Sequence, residues 1–186
     1  MSQFFEPPEV KFERRHSCDV GMSRVSYRLE LLVTNEGASF YPPVGTVENL
    51  SPDNAGYDLK IVVDQRSTLI ATLVPLGVKA RMLQSTVVDD GIEVVEDCHF
   101  TLEPRSSIYK TGFMMANGRG IIDRSYRGEL KAPIVSTSPS AKMVEAGTRL
   151  FQVIAPGLGY IKEVAYVSSL PETVRGEGGF GSTGTK

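Results

Sequence analysis

Near its end the 186-residue chain reads Arg175-Gly-Glu-Gly-Gly-Phe-Gly-Ser-Thr-Gly184, a run that combines a guanidinium, two hydroxyls, a ring and five glycines. Glycine lets backbone approach an anion closely, so successive N–H groups together with Ser182 and Thr183 could wrap a polyphosphate. Phe180 has no apolar neighbour of its own in the tail, and a flat nucleobase would give it one. The plainer alternative is a disordered terminus. The GxGxxG spacing inside the run marks dinucleotide folds only between a strand and a helix, and no helix follows here. Three further segments carry usable groups. Glu103-Pro-Arg-Ser-Ser107 offers the planar fork of Arg105 beside the short donors Ser106 and Ser107, a set suited to phosphate oxygens. Asn117-Gly-Arg-Gly-Ile-Ile-Asp-Arg-Ser-Tyr126 puts the carboxylate of Asp123 and the ring of Tyr126 three residues apart, at the end of an expected hairpin. Asn54-Ala-Gly-Tyr-Asp-Leu59 sets Asp58 on the polar side of a strand. Singly, each also reads as ordinary structure: a turn aspartate, a core tyrosine, a solvated carboxylate.

The elements that must position these groups are strands. Val25, Tyr27, Leu29, Leu31 and Val33 alternate with mostly polar residues, and Tyr57, Leu59, Ile61 and Val63 repeat the pattern. Shorter apolar runs follow at 69–73, 77–83, 92–95, 130–135, 150–154 and 161–167. Eighteen glycines and eleven prolines interrupt them, and no apolar repeat near 3.6 residues persists beyond about two turns. The class expected is all-β: a sandwich, barrel or jelly roll. Residues 35–53, rich in Pro, Gly and Asn, read as a long connection, and residues 1–24 as an irregular extension. At this length a single domain is expected.

Taken in order, AGYDL at 55–59, PRSS at 104–107, GIIDRSYRGE at 120–129, AGTRLFQ at 146–152 and RGEGGFGSTG at 175–184 resemble the five motifs of the trimeric dUTPase family, over residues 25–184. The resemblance implies a distorted β jelly roll over 25–170 and a homotrimer whose active sites draw on three subunits. It also implies a C-terminal arm, 171–186, that closes over a neighbour's site, and hydrolysis of dUTP to dUMP and pyrophosphate with Mg²⁺. By the same resemblance Asp123 is the general base for the attacking water, and Arg105, Ser106, Ser107 and Gln152 cradle the phosphates. Asp58 holds Mg²⁺ through its water shell. The segment Asn117–Ile122, with Gly120 and Ile121, reads the uracil edge, and Tyr126 packs under the deoxyribose. Phe180, with Gly181 beside it, stacks on the base, while Arg175, Ser182 and Thr183 take the terminal phosphate. The chain departs from the common family pattern at Ser107 (usually Gly), Thr148 (often Asp), Phe151 (a small residue) and Asn54 (often Ala).

Two rival readings are open. A dCTP deaminase, or a bifunctional deaminase-diphosphatase, shares the fold and an Arg-Ser-Ser stretch, but needs a glutamate ten residues beyond Asp123, where this chain has Pro133. A binding or regulatory module on the same fold would be expected to lose Asp123, Arg105 or the tail, and all are present. A net charge of −2 argues against nucleic acid or an anionic membrane as partner. No apolar run approaches a membrane span, and two cysteines are too few for a disulfide framework, so a soluble intracellular protein is expected. The pairs His16/Cys18 and Cys98/His99, and the insert at 89–98, have no assigned role; a zinc site there is the weaker alternative to ordinary residues.

Overall fold

The alternating run at 25–33 forms β1 (Arg24–Val33), whose Tyr27, Leu29 and Leu31 are buried, in a computed structural model that describes residues 24–88 and 91–179. Around it lie β2 (Val47–Asn49), β4 (Thr72–Val87), β5 (Glu93–Cys98), β7 (Phe113–Met115), β9 (Glu129–Ser136) and β11 (Ile161–Tyr166). They make one sheet in the order β2-β11-β1-β4-β9-β7, with β5 also paired to β4. Only the β1–β11 pairing is parallel. The second sheet runs β3 (Tyr57–Lys60), β10 (Arg149–Ile154), β6 (Phe100–Pro104), β8 (Gly120–Ile122), antiparallel throughout. The fold is all-β and jelly-roll-like, as expected. Among the described residues no helix is long and apolar enough to cross a membrane.

The core joins both sheets through Leu29, Leu31, Leu76, Val78, Phe113 and Ile134 from the first and Leu59, Leu102, Phe151 and Val153 from the second. Each such side chain contributes roughly 1.5–3 kcal/mol by leaving water. The run expected at 77–83 and the last two residues of the one expected at 69–73 fall on a single sixteen-residue strand, β4. Its register with β9 shifts between Pro75 and Lys79. Gly77 there has φ +67°, and a Cβ on it would stand 2.6 Å from Val62 Cγ1. A bulge of this kind lets one strand bend and serve different neighbours along its length: β9 pairs with 72–79, and β5 with 82–87. Leu69 and Ile70 precede the strand and are exposed. The connection 35–53 holds one short strand, β2.

Candidate active site

The small sheet builds the first half of the site. In register, Gln152 on β10 lies opposite Asp58 on β3 and Glu103 on β6. Arg105, just past the end of β6, donates its N–H to Leu150 O at 2.8 Å and leads into a 3₁₀ turn at Ser106–Thr111. Its Nε lies 2.8 Å from Asp58 Oδ1, and Arg149 Nη1 lies 3.3 Å from Asp58 Oδ2. A cavity of about 490 Å³ opens over these groups, lined by Asp53, Gly56, Asp58, Arg105, Ser106, Arg149 and Gln152. Ser107 is half-buried in the 3₁₀ turn and is not among the lining residues. Gly56 is required here: a Cβ on it would stand 2.5 Å from Val153 O, so the loop carrying Asp58 lies directly on β10. Arg149 escaped the sequence reading. Arg149 and Gln152 are an odd number of residues apart and would face opposite ways on a regular strand, but the β3–β10 register shifts between Arg149 and Phe151 and both reach the cavity.

The second half lies around a smaller cavity of about 180 Å³, lined by Asn117, Gly120, Ile121, Ile122, Asp123, Tyr126, Lys131, Arg175 and Gly179. The expected hairpin at 117–122 is absent. Strand β7 belongs to the large sheet and β8 to the small one, so the segment crosses between sheets through a turn with Gly118 at φ +68°. The crossing makes β8 an edge strand, paired among the described residues only to β6. Asp123 follows it, with Arg175 Nη1 on one carboxylate oxygen and His99 Nδ1 3.4 Å from the other. The same His99 nitrogen accepts the N–H of Arg124 at 3.3 Å. Tyr126 is buried, and its hydroxyl donates to Glu129 O at 3.0 Å. A Cβ on Gly128 would stand 2.6 Å from its Cζ, and one on Gly179 2.9 Å from its Cε2, so the ring fits only because both neighbours are glycine. Burial raises the Tyr126 phenol above its ordinary pKa, keeping it protonated and apolar in character.

One buried side chain that the sequence reading passed over organises this turn. Arg127 is 7% exposed, donates through Nη1 to Arg124 O and Tyr126 O, and through Nε to Pro171 O. Its own N–H donates to Gly176 O at 2.7 Å.

The two halves do not meet within one chain. Asp123 sits beside His99, at one end of β6, and Arg105 follows the other end. From 99 to 105 an extended strand spans about 20 Å. Phe180, Gly181, Ser182 and Thr183 lie outside the described residues, as do His16 and Cys18. Among the described residues no group of three or more His, Cys, Asp or Glu could hold a metal. Burial, with Asp97 and Glu96 nearby, pushes the Cys98 thiol up to about 11, which disfavours the thiolate that zinc needs.

Residues 45–184 match the dUTPase family profile. The deoxyuridine 5'-triphosphate nucleotidohydrolase of Wolinella succinogenes is 37% identical over 131 residues, 70% of this chain and 80% of that protein. That of Chlamydia pneumoniae is 32% identical over 141 residues, 74% of this chain and 89% of the relative. That of Escherichia phage T5 is 32% identical over 138 residues, 73% and 89% of the two chains. A crystal structure of dUTPase from Streptococcus mutans aligns with a TM-score of 0.47 at 22% identity, over 76% of this chain and 99% of that one. With its motif residues gathered at the two cavities and the family match spanning three quarters of its length, this chain belongs to the dUTPase family.

Proposed function

We propose that the protein hydrolyses dUTP to dUMP and pyrophosphate at sites completed by neighbouring copies of the chain in a homotrimer. The observation that carries this reading is the division of the site. A water aligned by Asp123 must attack a phosphorus held by Arg105, which requires contact distances of about 3 Å. Within one chain those residues are about 20 Å apart along β6. A neighbour's Asp123 meeting this chain's Arg105 removes the conflict.

The two cavities divide the nucleotide between them. The outer backbone groups of β8 suit the uracil edge, because an edge strand offers N–H and C=O groups that no other strand uses. Asn117, Gly120, Ile121 and Ile122 belong to that surface. Tyr126, held between two glycines, has no room to retreat from a 2′-hydroxyl, so ribose is excluded sterically. Arg105, Ser106 and Gln152 face the phosphates, with Ser107 behind them in the same turn. Charge builds on phosphate oxygens in such a displacement, and fixed cations stabilise it. Arg149 adds a second guanidinium to that half. Asp123 takes the proton of the attacking water after Arg175 leaves it for a phosphate. Phe180 and Gly181 cover the base, while Ser182 and Thr183 join Arg175 on the terminal phosphate.

The family implies a divalent metal, and Mg²⁺ is our choice. The donors fit an ion that keeps most of its water: Asp58 is a single carboxylate facing the phosphate cavity, with Asp53 as a second oxygen donor beside it and no cage around them. Asp58 is paired with Arg105 and Arg149; a polyphosphate that engages those guanidiniums frees the carboxylate to hold the ion through water. When bound, such an ion neutralises charge on the phosphate oxygens. We read the protein as soluble and intracellular.

The deaminase alternative is not favoured: Pro133, at the position that needs a glutamate, lies within β9 opposite Leu73 and has no ionisable group. A pyrophosphate-release assay with dUTP, dTTP, dCTP and UTP tests the proposal. Release is expected from dUTP well above the others, dependent on a divalent cation. Ammonia from dCTP, or equal rates on dUTP and UTP, would overturn it.

A further inference from the structure

We infer that Asp97, on the inserted strand β5, is a positioning residue that acts through Arg127 to fix the Asp123–Tyr126 turn; the inference deepens the proposed reaction and rests on it. Among the described residues strand β5 pairs only with β4, and Asp97 lies opposite Leu83 in that pairing. Its two carboxylate oxygens accept a bidentate pair from Arg81, Nε at 2.7 Å and Nη2 at 2.9 Å. Oδ1 also accepts Arg127 Nη2 at 2.9 Å. Arg81 is held in turn by Glu30 on β1, with Nη1 to Oε2 at 3.3 Å. The carboxylate is thus tied to the body of the large sheet before it reaches Arg127.

The other acceptors of the Arg127 guanidinium are neutral carbonyls, those of Arg124, Tyr126 and Pro171. Among the described residues Asp97 is its only ion-pair partner. A buried guanidinium deprived of its counter-charge turns towards water, because an unpaired buried charge is costly. That movement would release the carbonyls on both sides of Ser125. The turn closes through Tyr126 N–H to Asp123 O at 2.9 Å, so the bearing of Asp123 depends on the clamp. The same arginine holds the root of the tail at Pro171 and Gly176. None of these contacts touches Arg105, Gln152 or Asp58. Loss of Asp97 therefore disturbs the direction of the base and leaves the cradle of Arg105, Gln152 and Asp58 intact, while the backbone N–H of Arg127 still holds the tail at Gly176 O.

A particular kinetic signature follows. Misplacing a catalytic group by about an ångström lowers rate by about 100-fold. Asp97→Ala and the near-isosteric Asp97→Asn should lower kcat on dUTP by about 10- to 100-fold, with KM changed by less than about threefold. Asp97→Glu should recover part of the loss, and Glu96→Ala, an exposed neighbour, should behave as wild type. A second readout needs no activity. Hydrogen exchange at the amides of Tyr126 and Arg127 should speed up about tenfold in Asp97→Asn, with the amides of β10 unchanged. Should Asp97→Ala fail to fold, Asp97→Asn carries both measurements. Wild-type kcat in a folded Asp97→Asn protein, or unchanged exchange at Tyr126 and Arg127, overturns the inference. Absence of dUTP hydrolysis by the wild type would defeat the proposed reaction instead, and the exchange measurement would still judge the clamp.

Discussion

Asp123 is engaged before substrate arrives, by the guanidinium of Arg175. A carboxylate becomes an effective base for water only when it is aimed and protected, and here its aim comes from a turn whose carbonyls are held by a buried arginine. Asp123→Asn keeps the shape and removes the proposed base. Turnover should fall by about 10²- to 10⁴-fold while titration calorimetry with a non-hydrolysable dUTP analogue still reports binding. Near-normal turnover would remove Asp123 from the role. Asp97 yields a pH prediction at the same scale. The hydrogen bonds from Arg81, and then the charges of Arg81 and Arg127, hold its carboxyl below the ordinary 3.8 against the opposing effect of burial. A depressed carboxyl stabilises the fold fully above its unfolded-state value and loses that stabilisation as pH falls through the folded-state value. The melting temperature of wild type should therefore exceed that of Asp97→Asn by a constant margin from about pH 7 to 5 and by a shrinking one below about pH 4, as read by scanning calorimetry. Asp58, Arg105, Asp123, Tyr126 and Gln152 were singled out because five ordered motifs together resemble a known family; taken singly, each segment read as ordinary structure. Arg127, Asp97 and Arg149 were not singled out. The pairing of Asp97 with Arg127 spans 30 residues, and the reach of Arg149 depends on a register shift that no residue pattern announces.

Elements were legible where alternation was clean, as in β1, and obscure where a strand owes its existence to its neighbours. Strand β8 is three residues long, and its sequence, Gly-Ile-Ile, suits a hairpin as well as a crossing; pairing with β6 decides between them. The length of β4 was hidden by Pro75 and Gly77, which read as breakers and form a bulge instead. The tail is an element of a different kind. Through Gly179 its contacts include the Arg175–Asp123 and Lys79–Glu177 pairs, the Arg127 bonds to Pro171 and Gly176, the Thr173 hydroxyl on Ser125 O, and Arg175 and Gly179 against the Tyr126 ring. Of the residues it touches, Tyr126 alone belongs to the core. Truncation before Arg175 should leave circular dichroism and oligomer size unchanged and reduce kcat/KM on dUTP by orders of magnitude. Unfolding on truncation would make the tail a structural strap.

For the whole molecule, the separation of Arg105 from Asp123 gives a test that ignores structural detail. Arg105→Ala and Asp123→Asn proteins should each be nearly inactive alone. Unfolded together in equal amounts and refolded, they should recover activity at about a quarter of the sites, because a mixed assembly can join an intact Arg105 to an intact Asp123 from another copy. No recovery would confine each site to one chain and contradict the proposed arrangement. The overall class was open to sequence reading because short apolar alternations broken by glycine and proline allow little else. The proposed splitting of the site was expected only from the family resemblance, because motif order along a chain carries no information about which copy supplies each motif.

Strand β6 has a further consequence. If its length is what keeps base and cradle apart, the concentration of the chain becomes a term in its own rate law. Well above the dissociation constant of the assembly, activity per milligram is constant. Below it, velocity should rise more steeply than the first power of protein added, and a dilute preparation would appear damaged although every molecule in it is intact. Progress curves started by dilution would then slow as copies separate, and a cell making little of this protein would possess less catalyst than its abundance suggests.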